Sequence, residues 1–130
     1  MKRTLLTILF AITSVISFGQ ARLGSTATDI KSEFSSSSNK LKSGYDSDGD
    51  YYVTIETERA TVTYYFNTDK VCTTTIIIPD NQGQLNFYVE LYNKQYVIVN
   101  STEWKMYSND GIANIKLVFP EGGGYFFVWK

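Results

Sequence analysis

Three aspartates fall within five positions, Asp46, Asp48 and Asp50, with Gly49 before the last. Carboxylates at alternating positions are the start of a calcium loop, because Ca2+ is held by several oxygen ligands at such spacing. Counted from Asp46, an EF-hand-type loop also needs glycine at its sixth position and a bidentate acid at its twelfth. This chain has Tyr51 and Thr57 there. The Asp-Gly pair inside the run is a turn signal. The stretch is therefore expected to turn the chain into a strand, and no metal is expected to sit there.

The other reactive side chains narrow the chemistry further. There is no histidine, which removes Ser-His-Asp and Cys-His catalysis, histidine ligation of metals and histidine pH switching. Cys72 is the single cysteine, so an intramolecular disulfide is excluded and ordinary zinc sites lack their ligands. A reactive thiolate needs a basic neighbour or a helix N-terminus. Cys72 lies in an apolar, β-branched run, and a core position is expected for it. The acids offer many pairs, such as Glu56 with Glu58 or Glu103 with Asp110. A glycosidase needs two carboxyls about 5–9 Å apart in a cleft. Spacing along the chain does not supply that, and no catalytic residue is assigned. Asn100-Ser101-Thr102 matches a glycosylation sequon, but its expected role is to begin a turn.

The elements that position these residues begin after an export segment. Lys2 and Arg3 precede an uncharged apolar run from Thr4 to Phe18, and Ser17 and Gly19 are small residues placed for cleavage. That run is shorter than the ~20 residues needed to span a bilayer. Residues 1–20 are thus expected to be a cleaved secretory signal of bacterial type, and residues 21–130 a single exported domain, periplasmic or secreted. No cysteine lies beside the cleavage site to carry a lipid. Removing Lys2 and Arg3 leaves thirteen acids against ten bases, a net charge of −3. A mildly acidic chain without a basic cluster suits neither nucleic acid nor an anionic membrane surface.

Thr26, with Asp29 three residues later, is placed to cap a short helix whose stripe is Ala27, Ile30 and Phe34. "SSSSN" ends it, with Leu41 able to dock on the same stripe, and "KSGYDSDGD" is expected as loop. From Tyr51 the period is two. Tyr51–Glu56, Ala60–Phe66 and a run from Val71 stopped by Pro79 predict a three-stranded meander, with turns at Glu58-Arg59 and "NTDK". Asp80 or Asn81 is placed to cap a second helix with Leu85, Tyr88, Val89 and Tyr92 on one face, widened by Phe87 and Leu91. The same stretch also has a period of two, so periodicity alone leaves helix and strand open. "QYVIVN", "EWKMY", "IANIKLVF" and "YFFVWK" follow as strands. The expected fold is α+β: a two-layer sandwich with an antiparallel sheet of about six to seven strands, two helices on one face, and the order α-βββ-α-ββββ. Tyr-Val at 52–53 and again at 96–97, each followed by a turn and a strand, suggests an internal duplication. In element order alone the pattern resembles the small secreted β-lactamase-inhibitor proteins and the small outer-membrane assembly proteins that pack helices on a sheet. No sequence motif of either is present, so the resemblance implies a fold and no activity.

The positive signal is aromatic. The chain has 10 Tyr, 8 Phe and 2 Trp. If Val53, Val62 and Tyr64 face the helices, then Tyr52, Thr54, Thr61, Thr63 and Tyr65 face away, and Thr73 and Thr75 join them. On the last strand either Tyr125, Phe127 and Trp129 or Phe126 and Val128 face outward. Aromatic platforms of this kind bind sugars, peptides and protein partners. The expected function is a non-enzymatic binding module for a protein or other extracytoplasmic ligand. Its contact residues are Tyr52, Tyr65, Tyr125 and Trp129, and no cofactor is implied. The alternatives are a small carboxylate-dependent hydrolase and a structural envelope protein that self-associates through "YFFVWK" as an edge strand.

Overall fold

A computed structural model describes residues 21–35 and 40–130. The expected export segment and most of the serine run lie outside the described residues. The first helix, α1, spans Ala27–Phe34, with the Thr26 side chain accepting from the Asp29 amide at 3.2 Å. It buries Ala27 and Ile30 and lays Phe34 over Tyr64, with ring centres 6.5 Å apart. The second helix, α2, spans Gln82–Gln95 and resolves the ambiguity of that stretch in favour of the helix. Asn81 decides its start by accepting from the Gln84 amide at 3.0 Å. A Cβ at Gly83 would lie 3.2 Å from that same Asn81 oxygen, so the glycine leaves room for the cap. Leu85, Tyr88 and Tyr92 are its buried stripe. Phe87 is more exposed and is covered by the Arg59 guanidinium, 3.8 Å from its ring centre. No described helix is long and apolar enough to cross a membrane.

Among the described residues the fold is α+β, with one antiparallel sheet of eight strands, not six or seven. The strands are β1 (Lys40–Tyr45), β2 (Tyr51–Glu56), β3 (Ala60–Phe66), β4 (Cys72–Pro79), β5 (Val97–Asn100), β6 (Glu103–Ser108), β7 (Gly111–Val118) and β8 (Phe126–Trp129). The added strand is β1, which was expected as loop. Its residues are mostly polar and it pairs on one side only, with β2, so it shows little of the apolar alternation that marks an inner strand. Strand order is β1-β2-β3-β4-β8-β7-β6-β5. Each half is thus a helix followed by a four-stranded meander, and the two meanders join through β4 and β8. The Tyr-Val match between halves is out of step with this arrangement. Tyr52 and Val53 lie in β2, the second strand of its meander, whereas Tyr96 caps α2 and Val97 opens β5, the first strand of the other.

One line of paired residues crosses every strand: Ser43, Val53, Tyr64, Thr75, Trp129, Ile115, Trp104 and Ile98. Both helices pack on this side, α1 through Phe34 on Tyr64 and α2 through Tyr92 on Trp104 and Trp129, at 5.7 and 5.6 Å between ring centres. Tyr92 is fully buried, also touches Tyr88, Tyr96 and Phe127, and accepts a hydrogen bond from Trp129 Nε1 at 3.4 Å. Trp104 Nε1 donates to Asn93 Oδ1 at 2.8 Å, so both buried indoles have acceptors. Cys72 is buried and free, and burial pushes its thiol pKa up despite hydrogen bonding to Thr75. The segment before α1 lies against the start of β4. The Gly24 amide donates to the Cys72 carbonyl, the Cys72 amide to the Ser25 carbonyl, and the buried Thr75 hydroxyl to the Ala21 carbonyl.

Candidate functional site

The opposite face of the sheet carries a second line of partners: Lys42, Thr54, Thr63, Ile76, Val128, Lys116, Glu103 and Asn100. Its middle is threonine and aliphatic, and its flanks are charged. Tyr52 and Tyr65 pair directly across β2 and β3, with ring centres 6.3 Å apart. The Thr54 and Thr63 hydroxyls beside them lie 3.0 Å apart. Tyr52 also covers Gly44 on β1, where an added Cβ would stand 3.4 Å from its hydroxyl oxygen. An aromatic ring over a strand glycine shields backbone that has no side chain of its own.

Of the four expected contact residues, Tyr52 and Tyr65 lie on this face. Trp129 does not: it is 1% exposed and sits under α2. Tyr125 is half-buried and packs against the same core. Of the two alternatives for the last strand, Phe126 and Val128 are the outward pair. The expectation for Thr73 and Thr75 is also corrected. Pairing runs Tyr65 with Thr74 and then Phe66 with Cys72, so Thr73 is an extra residue that changes the phase of β4. Thr74, not Thr75, therefore stands beside Tyr65, while Thr75 turns inward and is fully buried. "YFFVWK" is not an edge either, because β8 is held between β4 and β7.

Thr74, Ile76, Val128 and Tyr65 line an open depression of 490 Å3 rimmed by Asp46, Asp50, Asn67 and Lys130. The opening aspartates thus come to the rim as part of a turn. Asp46 Oδ1 accepts from the amides of Asp48 at 3.0 Å and Asp50 at 2.9 Å, and the Gly49 amide closes onto the Asp46 carbonyl with Gly49 at φ 85°. The β3-β4 turn repeats this design. Asn67 Oδ1 accepts from the amides of Asp69 and Val71 at 3.0 Å each, and Lys70 takes the glycine's place at φ 63°. Among the described residues, no three Cys, Asp or Glu side chains converge as metal ligands would. The Tyr65 hydroxyl has its pKa raised by burial and then by the negative charge of Asp46, by Tyr52 and by Asp50. It therefore stays a neutral donor and acceptor at physiological pH.

Comparison with family models, with curated proteins and with solved structures finds no match to this chain.

Proposed function

We propose that this chain is a non-enzymatic binding module that acts outside the cytoplasm and engages a protein partner through the outer sheet face. The frame is two layers, with both helices on one side and the other side left to the partner. The observation that carries the reading is the Tyr52-Tyr65 pair running into the Thr74-Ile76-Val128 depression. It provides amphipathic rings and aliphatic surface with a charged rim, the composition of a protein-binding patch. A hydrolase would need two carboxylates free to act, yet Asp46 at this depression already holds two backbone amides. The test is a pull-down from the native envelope with the chain and with Tyr52→Ala plus Tyr65→Ala. The double variant is expected to fold, because such cross-strand pairs contribute only about 0.2–1 kcal/mol each, and to lose the partner. Undiminished capture by a folded double variant would sink the assignment.

Self-association has its own observation, on a different strand from the one expected. Strand β5 is an edge, and Val97, Ile98 and Val99 are 53%, 55% and 50% exposed along it. An apolar edge of this kind is a template for strand addition. Sedimentation of Ile98→Lys beside the unaltered chain tests this: a concentration-dependent dimer lost in the variant supports it, and two monomers dismiss it.

A further inference from the structure

A second collection of polar groups lies where α1 meets the β1-β2 hairpin, away from the outer face. Tyr51 packs its ring 5.2 Å from Tyr45 and 5.7 Å from Phe66. Two ammonium groups converge on it, Lys70 Nζ at 3.9 Å and Lys31 Nζ at 5.0 Å from the ring centre. Lys70 also donates to the Tyr45 hydroxyl at 3.0 Å. Lys31 comes from α1, Lys70 from the β3-β4 turn, and the rings from β1 and β2. With Ala27 and Thr28 at the start of α1, these four side chains line a depression of 290 Å3.

Both lysines are half-buried, and the ion pairs among the described residues use Arg22, Lys40 and Lys116 instead. Asp29 and Asp69 are close in sequence. The groups that act on the Tyr51 hydroxyl, however, are Lys31, Ser43 and Lys70. Burial alone would raise that hydroxyl's pKa. Hydrogen bonds from Lys31 and Ser43, with the charges of Lys31 and Lys70, outweigh burial and bring it below the ordinary tyrosine value. The ring faces return part of the cost of bringing two like charges to one depression, and an anion held in it would offset their repulsion further.

We propose that Lys31 and Lys70 form a binding site for a tetrahedral oxyanion, phosphate or sulfate, with the Thr28, Tyr45 and Tyr51 hydroxyls as additional donors. Lysine suits this role as a compact, strongly charged phosphate ligand. The site does not depend on the outer face, so either assignment can fail without the other.

The experiment is an amide NMR titration of the chain with sodium phosphate, sodium sulfate and glucose 6-phosphate, against sodium chloride at equal ionic strength. Saturable shifts are expected at Thr28, Lys31, Tyr45, Tyr51 and Lys70. Tighter binding of glucose 6-phosphate than of inorganic phosphate would assign the ligand as a sugar phosphate, and equal binding as the free ion. Lys31→Gln or Lys70→Gln is expected to weaken phosphate by roughly tenfold, while Lys31→Arg and Lys70→Arg retain it. Bound phosphate should also move the Tyr51 ring titration to higher pH, since a nearby negative charge opposes the phenolate. Shifts that chloride reproduces, or phosphate binding unchanged in both folded glutamine variants, would overturn the proposal.

Discussion

Asn93 is exposed on α2, yet it holds the only described hydrogen bond of the Trp104 indole, at 2.8 Å. Trp104 itself is 1% exposed. Asn93→Ala removes the acceptor and leaves an N–H inside the core, at a cost of about 1–3 kcal/mol. Alanine is the better helix former by up to about 0.7 kcal/mol, which offsets part of that. The net expectation is a loss of roughly 1–2 kcal/mol. Asn93→Asp keeps the oxygen and adds charge to the hydrogen bond, while its charge near the helix C-terminus costs about 0.3–1 kcal/mol. It should therefore stay close to the unaltered chain. Urea unfolding followed by tryptophan fluorescence reads both, because both indoles are buried. With a slope of about 1–3 kcal/mol per molar urea, Asn93→Ala should lower the midpoint by roughly 0.3–2 M. An unchanged midpoint for the alanine variant would show that water or a neighbour serves the indole equally well. Equal loss in both variants would show that the oxygen is not what matters. Either result refutes the reasoning.

The two like-built turns make a matched experiment. Asp46→Asn places in the first turn the residue the second already uses, and should change stability by less than about 0.5 kcal/mol, whereas Asp46→Ala frees two amides and should cost about 1 kcal/mol; thermal melts compare them. If the asparagine variant loses as much as the alanine one, the charge and not the acceptor geometry holds the turn. Stability should also fall steeply in alkali. Tyr88 is pushed up to about 12 by burial, and Tyr64, Tyr92 and Tyr96 are also raised, with burial the leading cause in each. A phenol raised in the folded state gives stability that is whole below the unfolded value near pH 10 and is lost as pH climbs toward the folded value. Tyr51 runs the other way: its lowered pKa gives stability present above pH 10 and lost as pH falls through its folded value, so it opposes the trend set by the buried phenols. Unfolding measured from pH 8 to 12 that shows a flat midpoint would contradict the burial of these phenols.

Much of the frame could be read from residues alone, for local reasons. Thr26 and Asp29 mark a cap, Pro79 stops a strand, and the alternation in β2 and β3 assigns their two faces correctly. What escaped depends on partners that are distant in sequence. Lys40–Tyr45 becomes a strand because β2 offers it a ladder, not because of its own pattern. Thr73 inserts into β4 with nothing local to announce it, and that one residue exchanges Thr74 for Thr75 on the outer face. Trp129 carries no mark of which side it takes, and the side is set by Tyr92, thirty-seven positions earlier. For the same reason Trp129, one of the four expected contact residues, went to the core. The two turns share only Asp48 and Asp69 in sequence, and asparagine for aspartate and lysine for glycine at the two positions that shape them conceal the likeness.

Thr75 is where the far parts of the chain meet. Its hydroxyl reaches the Ala21 carbonyl, and its backbone partner in β8 is Trp129. Ala21 and Trp129, far apart along the chain, are therefore neighbours at the centre of the sheet, while the covalent passage from one meander to the other runs through Asp80, Asn81 and α2. A circular permutant that joins Lys130 to Ala21 and opens between Asp80 and Asn81 would keep every strand pair. The order in which the two halves are strung along the chain is a matter of connectivity, to which the sheet itself is indifferent.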